Sequence, residues 1–207
     1  MYASRTGTKV NLDEIGRCGW RLLVSARGVL RTEGFRYALD NGAWTAFQKK
    51  EPFDASAFVK AIDKLGADAD FVAVPDAVGD RDLTLALYEQ WIPRLQGLRL
   101  YMPVQDGMTV KDLDMFPPCA GIFVGGGTEW KLRTMQAWRT IATERGMFLH
   151  VARVNSSRRI RACMSFGATS VDGTSASKYS VTTARLNRAR YAQPMRSMDF
   201  YEDEVRG

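Results

Sequence analysis

Short apolar runs of strand length alternate with longer amphipathic stretches from about Arg21 to Asp172, and this alternation constrains the fold more than any other feature of the chain. Apolar strands need cover on both faces, and amphipathic helices between successive strands supply it; the pattern is that of βαβ units in a parallel sheet. Seven strands are predicted, at Arg21–Ala26, Phe35–Leu39, Asp70–Val74, Leu98–Val104, Gly121–Val124, Phe148–Val154 and Thr169–Val171. Helical periodicity puts Phe58, Ile62 and Leu65 on one face of Ala55–Leu65. It puts Leu83, Leu87 and Ile92 on one face of Asp82–Leu95, and Trp130, Met135, Trp138 and Ile141 on one face of Glu129–Arg145. Asp54 reads as an N-cap and Gly66 as the C-terminal glycine of the first of these helices. The 207 residues sit near the lower limit of about 200 for an eight-stranded barrel. The expected fold is α/β: a compact, TIM-like (β/α)8 barrel in a single domain over 1–207, with some elements irregular or missing. A helix from Ala184 should run out into a loose tail over 192–207.

Composition narrows the environment. With 45% hydrophobic residues the chain can bury a sizeable core. The three cysteines, Cys18, Cys119 and Cys163, are far apart and odd in number, which speaks against a disulfide framework and for a reducing compartment, hence a cytoplasmic protein. One histidine, His150, is too few for a zinc site of standard Cys/His spacing, and no metal or other cofactor is expected. The longest apolar run falls far short of the roughly 20 residues that span a bilayer, and no membrane association is expected. The net charge of +6 favours polyanionic partners.

The polar residues cluster where strands end. In parallel α/β folds that is where a site forms, because side chains from several strands converge there. Asp40-Asn41-Gly42, Pro75-Asp76, Gln105-Asp106-Gly107, Gly125-Gly126-Gly127, Asn155-Ser156-Ser157 and Asp172-Gly173-Thr174 each follow a predicted strand. Asn-Gly and Asp-Gly pairs also make tight turns with φ > 0. Two carboxylates facing across a barrel mouth, however, are the equipment of glycosidic-bond chemistry, one as nucleophile and one to move a proton. Asp76 and Gln105 could cap helices, with Asp80 the better capping candidate. Their chemistry also suits the edge of a guanine-like base, the carboxylate accepting N–H groups and the amide donating to a carbonyl. The glycine run could cradle a phosphate at a helix N-terminus, or allow close approach of a flat ligand. His150, among apolar residues, reads as structural. Arg153 with Arg158, Arg159 and Arg161, and Arg185 with Arg188, Arg190 and Arg196, read as solvated faces or as a track for a nucleic-acid backbone.

In this order, Leu39-Asp40-Asn41-Gly42-Ala43-Trp44, Val74-Pro75-Asp76, Val104-Gln105-Asp106-Gly107, Gly121-Ile122-Phe123-Val124-Gly125-Gly126 and Ser170-Val171-Asp172-Gly173 resemble the tRNA-guanine transglycosylase superfamily. The short phage-type relatives associated with 7-deazaguanine modification of DNA are the most similar. The resemblance covers roughly Phe35 to Lys178. It implies base exchange on a (β/α)8 barrel, in which guanine leaves C1′, a covalent glycosyl-enzyme forms, and a 7-deazaguanine such as preQ0 takes its place. Asp172 then matches the nucleophile and Asp40 the group that handles the proton. Asp76, Gln105 and the Gly125-Gly126 backbone match the pieces that grip the heterocycle, with Tyr37 or Trp44 stacking on it.

Two departures bear on the substrate. Relatives that act on tRNA carry a Cys/His zinc subdomain after the nucleophile, and this chain has neither residue type beyond Asp172, which favours DNA over tRNA. Asp106-Gly107 stands where the family commonly has Gly-Gly. Two rival readings remain: a nucleoside hydrolase or DNA glycosylase using the same carboxylates, and a nucleic-acid-binding barrel without chemistry. A homodimer is left open.

Overall fold

The computed structural model of the protein describes residues 1–5 and 8–193. Eight parallel strands, β1 (Tyr2–Ser4), β2 (Arg21–Ser25), β3 (Tyr37–Asp40), β4 (Val72–Ala73), β5 (Leu100–Val104), β6 (Gly121–Val124), β7 (Phe148–Val151) and β8 (Ser170–Gly173), pair in chain order, and the barrel closes where β1 meets β8. Between and after them lie α1 (Lys9–Arg17), α2 (Ala43–Lys49), α3 (Ala55–Leu65), α4 (Arg81–Trp91), α5 (Thr128–Glu144), α6 (Ser157–Ser165), α7 (Ser175–Lys178) and α8 (Ser180–Ala189). The fold is the expected α/β barrel of (β/α)8 type. Its irregularities fall at two crossovers: β2 passes to β3 through a loop, and β5 to β6 through a 3-10 segment, Val110–Met115. The strand absent from the sequence reading is β1, which is only three residues long and carries no apolar run; its register with Arg21–Leu23 on one side and Asp172–Gly173 on the other makes it a strand.

Alternation along each strand sorts side chains into two cores. Leu22, Val24, Leu39, Val72, Met102, Val104, Ile122, Val124, Leu149, Val151 and Val171 point outward and pack against the helices. Tyr2, Leu23, Ala38, Phe71, Ala73, Tyr101, Phe123 and Ala152 form the core inside the barrel. Phe71 lies flat on Tyr101 with ring centres 4.0 Å apart, and Phe123 lies on His150 at 4.7 Å. Two residues further along the same strands, Phe71 gives way to Ala73 and His150 to Ala152. The barrel is thus plugged by rings toward its N-terminal end and lined by small residues toward its C-terminal end.

Helix chemistry follows the sequence at α3, where Asp54 caps by accepting from Ala57 N and Gly66 is the C-cap. Asp80 caps α4 in the same manner, accepting from Leu83 N. The buried face of α4 only partly matches the predicted Leu83, Leu87 and Ile92 stripe: Leu87 and Ile92 pack half-buried against the core, Leu83 is exposed, and Leu85, Tyr88 and Trp91 are buried. Two apolar stripes overlap on this helix, and the one with the larger rings wins, because Trp91 packs edge-on against Phe58 of α3. Residues 194–207, and with them Arg196 and most of the predicted 192–207 tail, lie outside the described residues. Among the described residues no helix is long and apolar enough to cross a membrane.

Candidate active site

At the C-terminal mouth of the barrel a cavity of about 650 Å³ opens. Its wall brings together Asp40 from β3, Asp76 after β4, Gln105 after β5, Gly125 after β6, Arg153 after β7 and Asp172 from β8, with Leu23, Phe123 and Ala152 among its apolar lining. The alternation that turns Leu39 and Val171 outward turns Asp40 and Asp172 inward, so the two candidate catalytic carboxylates share one cavity. Gly126 is not in the wall; it contributes through its backbone.

Asp172 is buried and pinned. His150 Nε2 lies 3.1 Å from its Oδ1, and the Arg153 backbone N–H donates to the same oxygen at 3.2 Å. His150 Nδ1 meets Ser170 Oγ at 2.8 Å. Burial holds the His150 imidazole below its ordinary value, against the pull of the Asp172 carboxylate. A neutral ring that donates from Nε2 and accepts the Ser170 hydroxyl at Nδ1 satisfies both partners. The structural reading of His150 and contact with the candidate nucleophile are therefore both true: the ring is a packed strut beneath Asp172.

Asp40 accepts from the Gly42 N–H at 3.2 Å, and Gly42 takes the left-handed φ of +87° that the Asn-Gly turn predicted. The turn and the functional position thus coexist in one segment. Desolvation, then the negative charges of Asp172 and Asp76, push the Asp40 carboxyl up to about 7. Such a group is half-protonated near neutrality and can both give and take a proton. Gly173 lies within β8, and its glycine is needed for space: a Cβ there would sit 2.5 Å from the Val154 carbonyl oxygen.

The base-edge candidates form one network. Asp76 accepts from Asn41 Nδ2 at 2.6 Å and from Gln105 Nε2 at 2.5 Å, while Gln105 Oε1 accepts from the Gly126 N–H at 2.9 Å. Asn41 also donates to the Val74 carbonyl at 2.7 Å. The Gln105 amide is thereby fixed, with its second N–H and the remaining lone pairs of Asp76 left to meet a ligand. Burial pushes Asp76 up to about 6. Neither residue caps a helix. Asn41, read from sequence only as a turn residue, ties the Asp40 loop to the Asp76 strand end.

The phosphate reading of the glycine run does not survive the geometry. The Gly126 N–H is taken by Gln105, and the Gly127 N–H at the start of α5 donates to Asp106 Oδ2 at 2.7 Å. Asp106, the departure from Gly-Gly, thus stands where an anion would bind. Close approach is what Gly125 provides: a Cβ there would lie 2.5 Å from Gln105 Nε2. Gly125→Ala should therefore dislodge the Gln105 amide, and if the cavity takes a guanine-like base, as the resemblance implies, its binding should weaken about tenfold, the effect of losing roughly one hydrogen bond. Equilibrium dialysis with labelled base checks this.

Of the predicted backbone arginines among the described residues, only Arg153 lines the cavity. It adopts φ +58°, bonds the Gly126 carbonyl through Nη2, and lays its guanidinium 4.1 Å from the centre of the Trp44 ring. Arg158, Arg159 and Arg161 lie on α6, with Arg159 in a small cleft beside α5 and Arg161 Nε bonded to the Gln193 carbonyl; Arg185 and Arg188 are exposed on α8. The other cations in the wall are Arg5, Arg27 and Lys178. Arg27 directly follows the predicted strand Arg21–Ala26, which is the signal that would have found it, whereas Arg5 follows β1, which the sequence does not disclose. Trp44 lines the cavity, whereas Tyr37 points outward and donates to the Leu65 carbonyl at 2.8 Å, so of the two stacking candidates only Trp44 can reach a ligand there.

No protein-family model matches the chain, and a search of curated proteins likewise finds no match.

Proposed function

We propose that the protein is a nucleobase-exchanging transglycosylase that replaces guanine in nucleic acid, DNA in preference to tRNA, by a 7-deazaguanine such as preQ0. The observation that carries this reading is the convergence of Asp40, Asp76, Gln105 and Asp172 on one cavity at the barrel mouth, with Asp40 held near neutrality. Asp172 attacks C1′ as the C1′–N9 bond breaks; the bonding pair leaves with guanine, and Asp40 supplies the proton that neutralises it. The incoming 7-deazaguanine returns its N9 proton to Asp40 and attacks C1′, which releases Asp172. Two displacements retain the anomeric configuration. Asp76 and Gln105 hold the edge of whichever base is present.

The target nucleotide must leave a duplex or be single-stranded, at about a few kcal/mol that stacking and phosphate contacts offset. In this reading Arg153 and Lys178 of the cavity wall meet its phosphates. Incubation with guanine-containing DNA, tRNA and labelled guanine or preQ0 tests the proposal. Incorporation of label into DNA is the expected result. Release of free base without incorporation would replace exchange by hydrolysis, and binding without either would leave a non-catalytic nucleic-acid-binding barrel.

A further inference from the structure

We propose that Lys131 is a positioning residue for Asp172, acting through a single peptide group: its ammonium holds the Ala152 carbonyl, and the N–H on the other side of that same peptide, at Arg153, donates to Asp172. The Asp172 role is the one given under Proposed function. Lys131 Nζ donates to the Ala152 carbonyl at 2.7 Å, and the Arg153 N–H reaches Asp172 Oδ1 at 3.2 Å. A cation on the oxygen of a peptide polarises it and strengthens its N–H as a donor, and in a desolvated setting the effect is little screened. The carboxylate oxygen that receives this bond also receives His150 Nε2. Both contacts fix the side chain by one oxygen and leave the other to attack.

The position of the lysine makes a packing role insufficient. Lys131 is 7% exposed, in a cleft between α5 and α6 walled by Leu132, Met135, Val151, Ala162 and Cys163. An apolar side chain would fill this cleft without burying an ammonium. Desolvation brings Lys131 down to about 8; Arg153 and Arg159 add to the lowering, while Asp172 and Cys163 oppose it. The peptide it holds leads into the left-handed φ of Arg153, a conformation that costs a non-glycine residue about 1 kcal/mol or more. Strain, a buried charge and the candidate nucleophile thus meet at one peptide.

Amide NMR of the full chain, followed from about pH 6.5 to 9.5 and without substrate, reads the link directly. The Arg153 amide proton is expected to shift upfield as pH rises through about 8, when the ammonium is lost. Lys131→Met should lack the step near pH 8 and keep only the change near pH 7 that ionisation of Asp40, coupled to Asp172, brings to both proteins. The buried groups beside Lys131 stay outside this range: burial raises Cys163 to about 12 and lowers His150 below its ordinary value. In exchange assays Lys131→Met should lower kcat by about 10- to 100-fold, as a misplaced reacting group does, with KM for the base unchanged. The variant replaces a desolvated ammonium by an apolar chain of similar length, so its melting temperature should not fall. An Arg153 resonance without a step near pH 8, the same step in Lys131→Met, or an unchanged kcat would each overturn the proposal. If wild type shows the step but exchanges no base, the link stands and the transglycosylase reading falls.

Discussion

Asp172→Asn should leave the barrel folded and reduce base exchange by about 10⁴-fold or more, the scale seen when a covalent nucleophile is removed. Asparagine is the informative substitution because its Oδ1 can still accept from both His150 Nε2 and the Arg153 N–H. Alanine would leave two buried donors unpaired, at about 1–3 kcal/mol each, and would confound loss of chemistry with loss of structure. Incubation of wild type with guanine-containing DNA and no acceptor base should accumulate a glycosyl-enzyme detectable by intact-protein mass spectrometry; Asp172→Asn should accumulate none while binding the same DNA. Adduct formation at the wild-type level in the variant would remove Asp172 from the nucleophile role. Loss of its charge also removes the second largest cause that holds Asp40 up, so the Asp40 carboxyl should titrate lower in this variant.

The fold was legible because its signals are local. Each outward-facing apolar residue on β2 through β8 lies in a run recognisable by itself, and the Asp54 and Asp80 caps follow from side chains that reach their own backbone. Strand β1 was not legible, since Tyr2–Ser4 becomes a strand only by completing the ring. The inward positions of Asp40 and Asp172 could be read from alternation and strand order. The partners of Asp172 could not: His150 sits in an apolar run that reads equally well as packing, and Lys131 lies on a helical face where a lysine ordinarily signals solvent. Both act across distances of 20 residues or more in sequence, which no local pattern encodes. The arginine runs are dense along the chain, but density does not fix position in space, and α6 and α8 carry most of those side chains away from the cavity wall.

Asp40→Asn should stabilise the protein at alkaline pH and cripple it as an enzyme, and these two effects have one cause. The ordinary Asp value is 3.8, and burial with the Asp172 and Asp76 charges takes Asp40 to about 7 in the folded chain. The folded state therefore disfavours the ionised form. This penalty is absent below the unfolded value, grows as pH rises from about 4 to about 7, and is constant above that. Asparagine keeps an acceptor for the Gly42 N–H and carries no charge, so the gain in stability should be on the order of 2 kcal/mol larger at about pH 8.5 than at about pH 5. Asp76, raised to about 6, contributes the same sign in both proteins and largely cancels from the difference. Denaturant unfolding of the two proteins at both pH values measures it, and a difference independent of pH would show that Asp40 does not titrate inside the barrel. Exchange should fall by about 10²- to 10⁴-fold, because the other raised carboxyl at the mouth, Asp76, is held by Asn41 and Gln105 and does not replace Asp40 in moving the proton. A turn at that position would be better served by asparagine, so a carboxylate that weakens the fold at the pH where it is half-ionised is what the proposed transglycosylase calls for.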